Sequence, residues 1–169
     1  NLTVLKNEEN IPELGFKDSK ICEEFIHKIS KLWPRWVEDE DRLCMQFIAD
    51  IMKSMSIKGY ITIDDLYNLS EKEVINIIKN CDDSYIRKAF ENFQSATRKS
   101  VYKSDLPNNK IYCTSVKGKK RYINPLAKFN DKVLRIDEIS SQANMDLNNF
   151  LNMKLHKYIG FEFDFKPYN

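Results

Sequence analysis

The chain has 169 residues, of which 42% are hydrophobic and 31% are charged, and its formal net charge at pH 7 is +2. This composition is typical of a globular protein rather than a disordered one. The near-neutral net charge does not imply attraction of the whole molecule to nucleic acid, so any electropositive patch must come from local clustering. No run of about 18 apolar residues occurs in the sequence, so we expect no membrane span and take a cytoplasmic location as the default.

The first 18 residues show no sustained periodicity and contain Pro12 and Gly15. We therefore predict an extended arm over residues 1–18 that docks on the rest of the chain through apolar side chains. The sequence begins at Asn1 rather than at a methionine, which favours a fragment of a longer protein.

Residues 19–100 have the three- and four-residue periodicity of helices. A first helix runs from Ser19 toward Pro34, where proline ends or kinks it. A second helix begins at the acidic run of residues 38–41, because carboxylates interact favourably with the positive end of the helix dipole, and ends at Gly59. A divalent-metal site is the alternative explanation of the acidic run, but consecutive helical positions point about 100° apart and need partners from elsewhere.

Two capping signals then follow in succession. Thr62 with Asp65, and Ser70 with Glu73, have the spacing at which a hydroxyl and a carboxylate bind the first free amides of a helix. We predict two short helices after these signals and a longer one over residues 85–99.

The stretch from Ile111 to Pro125 has the densest positive charge of the chain and is predicted to form a β-hairpin. Residues 110–116 and 121–123 would be its strands, and Gly118 would supply the positive φ of a tight turn. The candidate binding residues of this hairpin are Lys117, Lys119, Lys120, Arg121 and Tyr122. Arginine binds phosphate bidentately, lysine adds point charge and tyrosine stacks on bases, so the hairpin predicts a phosphate, nucleotide or nucleic-acid site. A solvated tip whose lysines prevent edge-to-edge pairing is the alternative.

The last part of the chain adds a short strand near residues 132–136, a helix capped by Ser140 and a strand with alternating phenylalanines over residues 157–165. The fold class is therefore α+β, with an N-terminal helical bundle followed by a small antiparallel sheet and one packed helix. Residues 101–169 form this second region, and we expect the whole chain to make one compact unit.

Catalytic signatures are sparse in this sequence. Its two histidines, His27 and His156, have no second histidine at i+4 and no following aspartate, so both are predicted to be surface or capping residues. The nucleophile-elbow, Walker and dinucleotide-binding patterns are absent from the sequence, and its four cysteines form no CxxC pair. No catalytic residue, metal ligand or cofactor is therefore assigned within this chain.

Five segments occur in the order GYITIDDLYNLSEKEVINII, YIRKAFENF, KGKKRYINPLA, RIDEIS and KYIGFEFDF. These segments resemble the C-terminal half of bacterial HD-domain metal-dependent phosphohydrolases, and the resemblance covers roughly residues 44–165. In that family, histidines and aspartates of a helical bundle hold divalent metal ions, which activate water against a phosphate ester. This chain has no His-Asp dipeptide, so no metal ligand or catalytic residue can be transferred to it.

The resemblance implies a non-catalytic C-terminal portion of an HD-type phosphohydrolase, which packs on the catalytic half and lends Lys119, Lys120 or Arg121 to a substrate phosphate. A divalent metal would belong to the missing upstream half, and the partner would be that half or a second subunit, with a homo-oligomer also open. Whether the parent protein is an enzyme stays open at this point. The alternatives are a nucleotide- or nucleic-acid-binding module that uses the basic hairpin, and a protein-interaction module.

Overall fold

The computed structural model describes residues 1–168, and its helices and strands confirm the α+β class. The α-helices are α1 (Ser19–Ile29), α2 (Asp39–Ile57), α3 (Ile63–Asn68), α4 (Glu71–Asn80), α5 (Ser84–Ser95), α6 (Ile136–Ile139) and α7 (Ser141–Leu151). The strands are β1 (Leu2–Lys6), β2 (Pro12–Phe16), β3 (Val101–Ser104), β4 (Tyr112–Thr114), β5 (Leu126–Phe129), β6 (Lys132–Arg135) and β7 (Tyr158–Phe161). Among the helices of residues 1–168, none combines the length and the hydropathy that a bilayer crossing requires.

The chain divides into two compact units, where one was predicted. Unit 1 consists of residues 1–38 and 119–154, and unit 2 consists of residues 39–118 and the chain from Leu155 onward. Each unit is therefore built from two separate stretches of sequence. Local periodicity does not predict such a division, because the division depends on which distant stretches of sequence pack together.

Unit 1 contains a four-stranded sheet with the strand order β1-β2-β5-β6. Strands β1 and β2 are antiparallel, with Leu2 opposite Phe16, and β2 runs parallel to β5, with Gly15 opposite Leu126. Strand β6 is antiparallel to β5. Helices α1 and α7 contribute buried side chains to the core of this unit, which has Trp33 among its largest members.

The predicted extended arm over residues 1–18 is wrong, because these residues form the β1–β2 hairpin. Its turn depends on Asn7, whose side-chain oxygen accepts hydrogen bonds from the backbone amides of Glu9 and Ile11 at 3.0 and 2.9 Å. Asn10 adopts a φ of 63°, a left-handed conformation that asparagine tolerates better than most residues. The signal for this turn is therefore the pair of asparagines, one that binds backbone amides and one that adopts a positive φ, and neither produces a periodic pattern.

Unit 2 packs α2–α5 with a three-stranded antiparallel sheet of order β3-β7-β4. The ring of Phe47 on α2 is fully buried at the centre of an aromatic cluster. Its neighbours, at centroid distances of 4.9–5.6 Å, are Phe93, Tyr112, Phe161, Phe163 and Phe165. Such ring pairs add to the burial of apolar area, so the cluster fixes β4 and β7 against α2. It thereby also positions the residues that follow β4 and those that precede β7.

Both predicted capping boxes are confirmed. The hydroxyl oxygen of Thr62 accepts a hydrogen bond from the Asp65 amide at 3.1 Å, and the Asp65 carboxylate accepts one from the Thr62 amide at 2.8 Å. Ser70 and Glu73 exchange the same pair of bonds at 3.4 and 2.8 Å at the start of α4. These interactions lie within four residues of sequence, which is why spacing alone reveals them.

The predicted basic hairpin is not formed. Strand β4 pairs with β7, and residues 115–125 contain no helix or strand. Among the described glycines, the positive φ of 75° belongs to Gly59 and not to Gly118. Pairing with β7 buries Tyr112 in the aromatic core, which the local hairpin would have left beside a polar tip. Burial of apolar surface in this core therefore favours the distant pairing.

We predict that Gly160→Ala destabilises unit 2 by about 2 to 3 kcal/mol, as overpacking does. A methyl group at this position of β7 would lie 2.3 Å from the backbone oxygen of Tyr112, so the strands must separate. Gly59→Ala is the control, because that site has open space and the change costs only the left-handed backbone conformation, about 1 kcal/mol. Urea unfolding of both variants measures the difference, and a smaller loss for Gly160→Ala than for Gly59→Ala would contradict the register of β4 and β7.

Candidate functional site

The side chain of Asp39, the first residue of α2, is the centre of a hydrogen-bonded cluster in unit 2. It is only 8% exposed. Its Oδ1 atom accepts from the backbone amide of His156 at 3.2 Å and from the Arg42 guanidinium, and its Oδ2 atom lies 2.5 Å from Nδ1 of the His156 ring. The carboxylate thus holds the backbone and the side chain of His156 together.

Arg42 lies one helical turn after Asp39 and is 7% exposed. Besides its ion pair with Asp39, the guanidinium donates to the backbone oxygens of Val116 and His156, the latter at 3.2 Å. Gly118 packs beside this side chain, since a Cβ at that position would lie 3.0 Å from Cδ of Arg42. Arg42 therefore connects α2 with the loop after β4 and with the segment before β7.

Asp39 is ionised despite its burial. Burial by itself would raise the pKa of this carboxyl, but the hydrogen bonds from His156 and Arg42 outweigh that effect and hold the pKa below its usual range. An ionised carboxylate can only accept hydrogen bonds. The proton in the Asp39–His156 contact therefore belongs to Nδ1 of the imidazole, and in the neutral ring Nε2 carries the free lone pair.

A pocket of about 250 Å³ opens beside this cluster in unit 2. Its lining residues are Arg42, Ser115, Val116, Lys117, Gly118, Leu155, His156 and Lys157. Three of them are permanent cations, and among the residues that the structure describes the lining holds no carboxylate. The volume corresponds to about eight water molecules, which suits a small ion or one end of a larger ligand.

Of the five predicted binding residues, the pocket contains Lys117 alone. Lys120 has a different role, because its Nζ atom donates hydrogen bonds to the backbone oxygens of Leu151 and Met153 at 2.5 and 2.7 Å. A lysine that caps the end of α7 in this way is part of the framework of unit 1.

The other three predicted residues belong to unit 1 and do not line the pocket. Lys119 and Arg121 are exposed. Tyr122 is 45% exposed, and its ring meets that of Trp33 edge to face, with a centroid distance of 6.3 Å. Of the five residues, the pocket of unit 2 therefore includes Lys117, and a phosphate-binding role for the other four stays a prediction.

Sequence reasoning missed Asp39, Arg42, His156 and Lys157. The acidic run that contains Asp39 does start α2 as predicted, and the helix dipole is a sufficient local explanation of its charge, so the run does not indicate a distant partner. His156 lies 117 residues away along the chain, and no spacing pattern links positions so distant. Within residues 1–168 no cluster of three or more His, Cys, Asp or Glu side chains could hold a metal ion.

We predict that Asp39→Asn costs about 2 kcal/mol at neutral pH, the scale of a hydrogen bond to a charged group. Because the folded pKa lies below the unfolded value of about 3.9, ionised Asp39 stabilises the fold above that pH, and the stabilisation disappears as the pH falls through the folded pKa. The free-energy difference between wild type and variant, from urea unfolding at several pH values, should therefore shrink under acid conditions.

Asp41→Asn is the matched control for this measurement, because Asp41 is an exposed carboxylate in the same first turn of α2. It should shift stability by no more than about 0.5 kcal/mol. A difference for Asp39→Asn that stays constant from neutral to acid pH would show that the carboxylate charge does not hold the cluster.

Comparisons with protein-family models, with curated proteins and with solved structures gave no match for this chain. The resemblance to HD-domain phosphohydrolases therefore stays a prediction. We therefore infer function from the chemistry of the pocket and its surroundings.

Proposed function

We propose that this chain binds a small phosphate-bearing anion in the pocket of unit 2. One observation carries the proposal: Arg42, Lys117 and Lys157 line one concave site without a carboxylate among its described lining residues. A concave surface with one sign of charge concentrates ions of the opposite sign. Phosphate matches such a site because its several oxygens accept hydrogen bonds from more than one cation.

The charge available to a ligand comes mainly from the two lysines. Asp39 balances the charge of Arg42 and takes up part of its donor capacity. Lys117 and Lys157 are exposed and line the pocket, and the ammonium of Lys157 lies 5.4 Å from the centroid of the Tyr158 ring, so it would turn from that ring to reach an anion. His156 adds a ring nitrogen to the same wall. The cluster behind them keeps this wall in place before a ligand arrives, which lowers the entropy cost of binding.

The proposal keeps the accessory role that the resemblance to HD-type phosphohydrolases implies. In that role the pocket receives a phosphate group, and metal-dependent hydrolysis takes place on a catalytic half outside this chain. The cationic pocket of unit 2 supports the phosphate-receiving part of this role. Phosphate binding does not require the family relation and can be tested alone.

Titration with inorganic pyrophosphate, followed by calorimetry, tests the proposal. We expect Lys117→Gln to weaken binding about tenfold, the equivalent of one charge-assisted hydrogen bond. Lys119→Gln is the matched control, because it removes an exposed lysine two residues away that does not line the pocket, and it should change affinity less than about twofold. Raising the salt concentration should weaken binding, since the lysines are exposed to screening.

Two results would overturn this assignment. Pyrophosphate binding that is equally sensitive to Lys117→Gln and Lys119→Gln would place the ion on the general surface charge. A single-stranded RNA that binds through Lys119 and Arg121, while pyrophosphate does not bind, would instead support the nucleic-acid alternative.

A second candidate function is contact with another protein surface, either the HD-type catalytic half or a second subunit. The observation in its favour is an apolar groove of about 450 Å³ in unit 1, beside the hairpin of β1 and β2. Leu2, Leu14 and Phe25 line it and are 58%, 63% and 39% exposed. Exposed apolar groups that share one groove are typical of interaction sites.

Sedimentation velocity tests the second-subunit form of this candidate. We expect the wild-type chain to self-associate and Leu14→Glu to shift it to a monomer, because the added carboxylate would be desolvated in the contact. Ile57→Glu, at an exposed position of α2 in unit 2, controls for the loss of surface hydrophobicity. A monomeric wild type at high protein concentration would remove the second subunit from consideration.

A further inference from the structure

The imidazole of His156 is held by Asp39 and is open to the pocket. Asp39 binds both its Nδ1 atom and its backbone amide, so the ring has little freedom to turn. With the proton held at Nδ1, the lone pair of Nε2 points away from the carboxylate. The side chain is 48% exposed and lines the pocket, so a ligand there has access to it. A reactive group oriented by a second group, itself fixed by a third, is the arrangement that covalent catalysis uses.

The same pocket supplies cations for a transferred phosphoryl group. During phosphoryl transfer the negative charge spreads over three equatorial oxygens, and placed cations stabilise that charge. Lys117 comes from the loop after β4, and Lys157 directly follows His156. Both lysines line the same pocket as His156, so a phosphate group bound there has cations on the wall that surrounds it.

The second histidine provides an internal comparison. Nδ1 of His27 on α1 lies 3.0 Å from Oδ2 of Asp146 on α7, and the His27 side chain is 45% exposed. The second oxygen of Asp146 accepts a hydrogen bond from the side-chain amide of Gln142. The corresponding oxygen of Asp39 accepts one from the guanidinium of Arg42. Each ring is thus paired with its own aspartate, and the two side chains are exposed to a similar degree. They differ in that His156 lies in the cationic pocket.

We propose that Nε2 of His156 is a phosphoryl acceptor for small donors of the phosphoramidate or acyl-phosphate class that bind in the pocket. In this step the Nε2 lone pair forms an N–P bond while the bond from phosphorus to the donor's leaving group breaks. The bonding electrons go to the leaving group, which departs as ammonia from a phosphoramidate already protonated on nitrogen, or as a carboxylate from an acyl phosphate. Nδ1 keeps its proton and its hydrogen bond to Asp39, so the carboxylate stabilises the positive charge that forms on the ring. This step rests on the phosphate binding proposed above.

Potassium phosphoramidate is the probe for the test, and the full chain is the protein used. The phosphorylated residue is located by peptide mass spectrometry at alkaline pH, and ³¹P NMR distinguishes the Nε2 adduct from the Nδ1 adduct. We expect His156 to react at least about tenfold faster than His27, the factor that corresponds to about 1.4 kcal/mol of charge stabilisation in the transition state. The adduct should be on Nε2, and pyrophosphate should slow the reaction at His156 and not at His27.

Three variants assign the roles. His156→Gln should abolish the fast reaction and leave that of His27 unchanged. The double variant Lys117→Gln and Lys157→Gln should bring the rate at His156 down to that of His27. Asp39→Asn tests a positioning role, because an amide can donate to Nδ1 and so move the ring proton to Nε2. We expect less Nε2 adduct in this variant, together with a change of the His156 tautomer in ¹⁵N NMR. Circular dichroism verifies that the variant is folded.

The outcomes separate this inference from the proposal beneath it. Equal rates at the two histidines, with pyrophosphate still bound through Lys117, would overturn the phosphoryl-acceptor role and leave anion binding intact. Equal rates without pyrophosphate binding would overturn both. A fast reaction at His156 that persists in the double lysine variant would also count against the inference, because the cations would then have no part in it.

Discussion

The ionised carboxylate of Asp39 is the group on which the arrangement of the candidate site depends. A buried charge of this kind persists only when partners compensate for its lost hydration, and here the partners are a guanidinium, an imidazole and a backbone amide. Arg42, which pairs with Asp39, also donates a hydrogen bond to the backbone oxygen of Val116. The charge of Asp39 therefore holds together the start of α2, the loop after β4 and the segment before β7, which are remote in sequence. The aromatic cluster around Phe47 sets the strands, and the polar cluster then sets the loops at their ends.

The chemistry proposed for the pocket follows from its neighbours rather than from any single residue. Both histidines of the chain are paired with an aspartate and are exposed to a similar degree, so the pairing alone does not distinguish a site from a surface contact. The difference is the set of cations around His156, in which Lys117 and Lys157 belong to no helix or strand and Arg42 belongs to α2. Loops held by a rigid framework are where binding residues are most often found in proteins.

Local patterns predicted the features that depend on a few neighbouring residues. The capping boxes at Thr62 and Ser70, the start of α2 and the final strand all follow from propensity, spacing and alternation. The errors have two physical causes. The β1–β2 hairpin is local, but its turn depends on the hydrogen bonds of Asn7, which produce no periodicity. Strand β4 pairs with the distant β7 and does not form a local hairpin at Gly118, and a short window of sequence does not contain that partner. The contact of Asp39 with His156 belongs to the same class.

The interleaved connectivity of the two units has a consequence for synthesis on the ribosome. Unit 1 includes residues 119–154, and unit 2 includes β7, so the segments that emerge first have to wait for partners made much later. Strand β2 meets β5 only after a nascent chain has grown by more than a hundred residues. Contacts of such long sequence separation slow folding, and apolar side chains such as Phe16 and Phe47 stay accessible to chaperones meanwhile.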